Sequence, residues 1–473
     1  MKVYAVVLAA GKGTRMKSEK PKVVHEVLYK PMINHVVDEL KALGVDEIIV
    51  VVGHEAKQVE DIVDGVTFVY QDQQLGTGHA VLQAKDVLAD KEGMTLVLCG
   101  DAPLVRKETL KELINYHQEN QNKATLMSAD CDTSTHYGRV IKIDGQVKGI
   151  VEYKDLQDSQ KDITEMNTSE YCFDNQALFA ALAKVTNDNA QKEYYLTDVI
   201  GIMNEDNLKV DAYKIDDFNE VGGINDRVAL AEATQILRDR INKEHLLNGV
   251  NIIDPQNTYI GRDVVIGIDT TIEPGCIIKG NTVIGNNCHI GPYCEFTNME
   301  IKDNVEIKFS VLSDSIIECG VDIGPYSRLR TNCHIKENAH LGNFVEMKKA
   351  IFGKGSKASH LTYVGDAEVG EDVNFGCGTI TSNYDGKNKS LTKIEDNVFI
   401  GCNTNLVAPV TVRRNAYIAA GSTITKEVEE DALAIARARQ VNKEGYSKIL
   451  KEIREQEYAK RNKEKIRRKR GKK

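Results

Sequence analysis

The sequence predicts two architectures in series: an α/β, Rossmann-like domain over residues 1–226, then a parallel β-helix over residues 251–445. Three observations predict this. Short, wholly apolar runs alternate with helical periodicity in the first half. Glycine-rich loops follow two of those runs. In the second half an aliphatic residue returns every six positions.

Size and composition set the limits. At 473 residues the chain suits two or three domains, and 41% apolar residues is enough for ordinary cores. No apolar run is long enough to span a bilayer; Tyr4–Ala10 is far too short for that or for a secretory signal. The 10 cysteines are scattered, with no CxxC pair, so reduced thiols and a cytoplasmic location are expected. A net charge of −9 argues against nucleic acid as the main partner. The charge is uneven: residues 460–473 carry ten basic groups and one acid, a net +9, which leaves the rest of the chain at −18. The tail, residues 446–473, reads as helical and then disordered, a solvated basic segment.

Tyr4 to Ala9 reads as a strand buried on both faces. It runs into Ala10-Gly11-Lys12-Gly13-Thr14-Arg15-Met16, where small residues let backbone N–H groups close on an anion and Lys12 and Arg15 add charge. Neither a Walker loop nor a full dinucleotide fingerprint is present. A helix is predicted over 34–43, closed by Gly44, and strands over 47–52 and 68–70. A second glycine-rich loop, Gln71 to Ala80, holds Gly76, Thr77 and Gly78. Leu96–Cys99 is another buried strand and delivers Asp101 to its carboxyl end, where α/β folds place metal or substrate ligands. From Asp226 an apolar stripe (Leu230, Ala233, Leu237, Ile241) predicts a bridging helix, residues 227–250, ending near Gly249.

The repeat then begins. Ile260, Ile266, Ile272, Ile278, Ile284, Ile290 and Phe296 recur at six. The register slips near Ile301 and resumes as Ile317 to Met347 and as Ile400 to Ile424. Six residues is no multiple of a helical turn; it fits a three-sided coil with one inward residue per face. Asn286, Asn287, Asn304, Asn338 and Asn397 suit the corners. Two stretches read as interruptions: the basic run Lys348 to Lys357, and Gly378 to Gly386. Four histidines lie in the coils, His289, His334, His340 and His360, and each suits a corner as well as a catalytic base. His360 is preferred because it adjoins the basic run.

These motifs carry resemblances. The repeat resembles the left-handed parallel β-helix of the hexapeptide acyltransferases. The run Leu8 to Met16, with Lys20-Pro21-Lys22, resembles the signature loop of the sugar-nucleotide pyrophosphorylases. With Gly76-Thr77-Gly78, Gly100-Asp101 and the run Gly342 to Gly386, nearly the full chain resembles a bifunctional bacterial family that makes UDP-N-acetylglucosamine for peptidoglycan and other envelope polymers. In that family a glucosamine-1-phosphate N-acetyltransferase is joined to an N-acetylglucosamine-1-phosphate uridyltransferase. The resemblance implies that Arg15 and Lys22 serve phosphoryl transfer. It implies that Leu8, Ala9, Ala10, Gly11, Gln71, Gly76, Thr77, Gly138, Glu152, Asn167 and Asn225 bind UTP or the nucleotide sugar, with Mg²⁺ on Asp101 and Asn225. It implies that His360 is the acetyl-transfer base, that Arg330, Lys348, Tyr363 and Asn374 hold the sugar phosphate, and that Asn383, Tyr384, Cys402, Ala420 and Arg437 contact acetyl-CoA. Cys402 departs from an expected serine and Cys99 from a tyrosine found in some members. A homotrimer through the β-helix is implied, with no nucleic-acid or membrane partner. The competing readings are a single-function sugar-1-phosphate nucleotidyltransferase with a regulatory or assembly β-helix, and a non-enzymatic β-helical scaffold.

Overall fold

A computed structural model describes the chain from residue 1 to residue 470, in two compact units, the second beginning at residue 339. The first unit opens with β1 (Val3–Leu8), α1 (Met32–Leu43), β2 (Glu47–Val52), β3 (Thr67–Tyr70), β4 (Met94–Cys99), α2 (Lys107–Glu119), β5 (Ala124–Asp130), β6 (Glu165–Asp174) and β7 (Val210–Ile215). The sheet order is β7-β5-β6-β4-β1-β2-β3. β1 runs parallel to both β2 and β4, while β6 is antiparallel to β4 and β5.

Successive residues of β1 enter different cores, because side chains of a strand alternate faces. Tyr4 and Val6 join one apolar layer with Leu178, Phe179 and Met203. Ala5 and Val7 join the other with Val36, Leu40 and Leu113. Burial on both faces is why this strand reads as a continuous apolar run. α1 ends at Gly44, whose left-handed φ of 78° lets its N–H reach the carbonyls of Leu40 and Lys41. The chain moves one way from β1 to β2 and β3, then crosses to β4 on the other side. The crevice at the carboxyl ends of β1 and β4 is therefore the topological switch point, where such sheets bind ligands.

α3 (Arg227–Leu247) begins at Asp226, whose carboxylate accepts from the amides of Val228 and Ala229, both at 3.0 Å. Ala233, Leu237 and Ile241 are buried as the stripe predicts. Asn242 staples the helix to the first coil, donating to the carbonyls of Pro255 (2.8 Å) and Thr258 (2.9 Å). Arg240 reaches the Leu104 carbonyl at 2.8 Å, and Arg262 pairs with Glu39.

The coils of the first unit start at Asn251–Ile252 and continue to His334–Ile335. Their described ladder pairings run parallel, and Tyr259 faces Ile277, 18 residues on. That spacing is three hexapeptides, one per face. The slip near Ile301 is a set of shortened coils, since Phe296 faces Leu312, only 16 residues on. Asn287, Asn304, Asn338 and Asn397 adopt positive φ at corners, as expected. Asn286 does not; its side-chain oxygen instead accepts from the Ile268 amide at 3.0 Å, tying one coil to the next.

In the second unit, β8 (His340–Phe352) and β9 (Lys357–Val369) pair along their length, His340 facing Lys357 and Phe352 facing Val369. This corrects the reading of Lys348 to Lys357 as an interruption. Met347, Ala350 and Phe352 are buried and hold the coil, so Lys348 and Lys349 belong to a regular wall. The other interruption is real but starts later than Gly378: Ile380–Ser382 is a ladder strand paired with Asn405–Val407, and the residues between it and Thr392–Ile394 form a small hairpin bridged from Tyr384 to Lys389. The tail is α4 (Tyr446–Arg470). Helix continues where disorder was expected, because the segment is rich in Lys, Arg and Glu, good helix formers with acid–base pairs at helical spacing, such as Glu457 and Arg461. Residues 471–473 lie outside the described part.

Candidate functional sites

The switch-point crevice is a cleft of about 300 Å³. Leu8, Ala9, Ala10 and Gly11 line it from the end of β1, Cys99 and Asp101 from the end of β4, and Lys22 and Val23 from the turn between β1 and α1. Gln71, Gln74, Gly76 and Thr77 close another side with Glu193. Most residues expected to hold a nucleotide therefore meet around one space.

Local chemistry explains how. Gly100 donates its amide to the Leu8 carbonyl at 3.0 Å, so the ends of β1 and β4 stay in register as they open. Gly76 has φ 114°, and a Cβ there would fall 2.5 Å from the Tyr194 carbonyl oxygen. Only glycine admits that approach. The Gly78 amide donates to the same carbonyl at 2.8 Å, and the Thr77 hydroxyl accepts from the Leu196 amide at 3.0 Å. Gln71 donates to the Gly76 carbonyl at 3.0 Å and bonds the His79 ring at 3.1 Å.

Asp101 and Asn225 come together although far apart in sequence. The Ile224 amide donates to the Asp101 carbonyl at 3.0 Å, which anchors the Gly222-Gly223-Ile224-Asn225 turn beside the strand end. The Lys22 ammonium donates to Asn225 Oδ1 at 3.0 Å and forms an ion pair with the Asp101 carboxylate. Two oxygen donors thus converge on one positive charge, a donor set that suits a hard cation. Among the described residues no group of three or more His, Cys, Asp or Glu gathers for a metal. Arg15 is different. It is exposed in the turn Thr14–Met16 and does not line the cleft.

Gly138, Glu152 and Asn167 also cluster. The Asn167 amide donates to the Gly138 carbonyl at 2.9 Å, and a Cβ on Gly138 would lie 3.5 Å from Glu152 Oε2. Glu152 accepts from the Thr197 hydroxyl at 3.1 Å; burial nonetheless holds its carboxyl above the usual range. Burial also pushes the Cys99 thiol well up, with the Asp101 charge adding to it, so Cys99 is a neutral wall of the cleft. Arg139, fully buried, gives its charge to the carbonyls of Thr133 (2.8 Å), Thr135 (3.3 Å) and Tyr137, and so fixes the loop that presents Gly138. The sequence did not single out Glu193, Tyr194 or Thr197. Only Thr197-Asp198, ahead of a short helix, hinted at them.

The second unit holds the other cluster. β9 carries His360 and Tyr363, and β8 carries Lys348 opposite Gly365. His360 is exposed, and its Nδ1 lies 3.0 Å from Asn343 Oδ1, one coil below. An amide oxygen accepts, so Nδ1 is the donor in this contact and Nε2 is the ring nitrogen left to serve as a base. Leu361 and Phe344, the residues after His360 and Asn343, have φ of 41° and 59°. These left-handed corners turn the wall where both side chains project. Asn343 was not foreseen, because its partner lies 17 residues on, where the six-residue spacing slips. Asn374 faces Lys357 on one side and Phe399 on the other.

Asn383 donates to the Asp366 carboxylate, and the Tyr384 hydroxyl donates to the Gly386 carbonyl at 2.6 Å within the extruded hairpin. Cys402 is exposed, and its amide would lie 2.5 Å from a Cβ on Gly376. Arg437 donates to the Ala420 carbonyl at 2.9 Å, so these two stand together. Arg330 belongs to the first unit, just after strand Arg328–Leu329, and its carbonyl accepts from Ser315 at 3.1 Å.

Family models match the same two regions. Residues 5–195 match the MobA-like NTP transferase domain, residues 260–364 the GMPPB C-terminal domain, and residues 391–426 six repeats of the bacterial transferase hexapeptide. The chain is thus a nucleotidyltransferase-type domain followed by a hexapeptide-repeat transferase domain. Over 448 residues it is 54% identical to the bifunctional protein GlmU of Geobacillus sp. (strain WCH70), spanning 94% of this chain and 98% of that protein. It is also 54% identical over 445 residues to GlmU of Halalkalibacterium halodurans, spanning 94% of this chain and 98% of that protein. For a Listeria monocytogenes GlmU the figures are 52% over 451 residues, 95% and 99%. The chain belongs to the GlmU family of bifunctional proteins. No helix among the described residues is long and apolar enough to cross a membrane.

Proposed function

We propose that the chain makes UDP-N-acetylglucosamine in two steps, acetylating glucosamine 1-phosphate with acetyl-CoA in the 251–445 coils and then transferring UMP from UTP to N-acetylglucosamine 1-phosphate in the 1–226 domain. The observation that carries this reading is the presence in one chain of both a phosphate-type cleft at a sheet switch point and, on a hexapeptide coil, an exposed histidine whose Nδ1 is turned onto the Asn343 side-chain oxygen. The helix Arg227–Leu247 is the linker between them.

In acetyl transfer, His360 Nε2 takes a proton from the sugar ammonium, and Asn343 keeps the ring in the required tautomer. The free amine attacks the thioester carbonyl; an N–C bond forms, the C–S bond breaks, one of the two protons lost by the nitrogen passes to the departing thiolate, and the other leaves to solvent. No enzyme nucleophile is needed. Tyr363, Lys348 and Asn374 serve the sugar phosphate, and Asn383, Tyr384, Cys402, Ala420 and Arg437 the coenzyme.

In uridyl transfer, an oxygen of the sugar phosphate attacks the α-phosphorus of UTP and pyrophosphate leaves. Such transfers depend on positioning and charge neutralisation. Backbone amides at Ala10 and Gly11 meet phosphate, Lys22 and Arg15 supply charge, and Gly138, Glu152 and Asn167 orient the sugar. Asp101 and Asn225 would hold Mg²⁺, which when bound neutralises phosphate charge. The hexapeptide coils support oligomerisation, which we read as a homotrimer.

Thiol release from acetyl-CoA tests both halves. Release should require glucosamine 1-phosphate and no UTP; adding UTP and Mg²⁺ should then yield UDP-N-acetylglucosamine. His360→Ala should abolish thiol release and spare uridyl transfer, and Asp101→Ala should do the reverse. A native protein that makes a nucleotide sugar but releases no thiol would leave a single-function nucleotidyltransferase.

A further inference from the structure

The Lys22 ammonium is bonded to both residues that the proposed function gives to the metal. It donates to Asn225 Oδ1 at 3.0 Å and pairs with Asp101 Oδ2. The side chains of Lys22 and Asp101 are only 18% and 12% exposed, so the contact is sheltered rather than a loose surface pair. The backbone aims it. Pro21 precedes Lys22 with φ −51°, and Gly13, at φ 62°, lies so close that a Cβ there would fall 2.5 Å from the Lys22 Cβ. The phosphate loop thus presses directly on the base of this side chain.

We propose that Lys22 is an internal counter-cation that a divalent ion must displace, so that metal entry and delivery of the ammonium to the nucleotide are one exchange. This rests on the reading of Asp101 and Asn225 as metal ligands. An ion held at about 2.1 Å from oxygen cannot share these acceptors with an ammonium without setting two positive charges side by side. Metal alone therefore competes with Lys22. Metal arriving with a polyphosphate does not, because the phosphate accepts the released ammonium. Lys22 also orders the two acceptors before the metal arrives. In this role it is a positioning residue, acting on the metal site as well as on phosphate.

The test is Mn²⁺ titration of the full-length protein without nucleotide, followed by the paramagnetic resonance of free Mn²⁺. Lys22→Met removes the competitor and should tighten Mn²⁺ binding about tenfold, in line with the loss of a charged hydrogen bond. Lys22→Arg keeps the charge and should bind as the native protein does. Lys22→Gln is a second neutral variant should methionine disturb folding. Unchanged or weaker Mn²⁺ binding in both neutral variants overturns the displacement, because a merely structural lysine would not restrain metal affinity. Asp101→Ala separates the two levels of the reading. If it abolishes Mn²⁺ binding while the neutral variants fail to tighten it, the displacement alone falls. If it leaves Mn²⁺ binding intact, the metal ligands themselves are misassigned and both readings fall.

Discussion

Single residues show most clearly what chemistry the fold tolerates. Glu170 on β6 is wholly buried. Burial pushes its proton affinity well above the usual carboxylate range, with the Asp101 charge adding to it. Below the ordinary carboxylate value the folded and unfolded chains both keep this proton. As pH rises the unfolded chain releases it first, so Glu170 subtracts stability toward neutral pH. Glu170→Gln should therefore be more stable than the native protein at pH 8, by roughly 1–3 kcal/mol, and nearly equal near pH 4. Urea midpoints at the two pH values check this, and a variant weaker at both would refute it. Glu170 was invisible in the sequence, where an acid in a strand reads as solvent-facing. Asp101 was legible because its loop follows an apolar run; Lys22 and Asn225 were legible only through the family resemblance of their segments. Asn343 was not, because register across coils is a tertiary property.

At the scale of elements, hexapeptide period foretold the coils because one inward residue per face is an absolute demand of a three-sided wall. The same demand explains the misreading of Lys348 to Lys357. Met347, Ala350 and Phe352 meet it at spacings of three and two, and two lysines on the outer face hid them. Close stacking also fixes where glycine is obligatory. Gly353 follows β8 directly, and a Cβ there would fall 1.8 Å from the Gly370 carbonyl oxygen of the next coil. Backbone cannot yield as a flexible side chain would. Gly353→Ala should destabilise the second unit by roughly 1–3 kcal/mol or more. Gly261→Ala, whose added Cβ would meet Lys279 Cα at 3.4 Å, should stay within about 0.5 kcal/mol. Heat inactivation of acetyl transfer reads the first change: its half-life should shorten while that of uridyl transfer holds. Equal loss of both activities would mean that the strain is not confined to the coils.

For the whole molecule, pH response sums groups that pull in opposite directions. His35 on α1 and His117 on α2 are buried, at 0% and 3% exposure, and burial lowers both to about 4. His35 Nε2 is 2.9 Å from the Val27 carbonyl, and His117 Nδ1 is 2.9 Å from the Thr125 hydroxyl. A base depressed on folding gives stability that is complete above its unfolded value near 6.5 and is lost as pH falls toward 4, because the unfolded chain takes up protons that the folded chain refuses. Each group contributes a slope of about 1.4 kcal/mol per pH unit across that window. Asp198, raised by burial to about 6, opposes them between the ordinary carboxylate value and 6, as does Glu170. The net slope is thus smaller than the two histidines alone would give, and the decisive quantity is a difference between variants. Most helical residues lie in the first unit, so far-UV ellipticity during urea unfolding follows the part that holds both histidines. Between pH 6.5 and 4.5 the native midpoint should fall more steeply than that of the double variant His35→Gln/His117→Gln, even though the double variant starts lower at pH 7. Parallel curves would show that neither histidine stays neutral on folding, and acid sensitivity would then belong to the carboxylates alone.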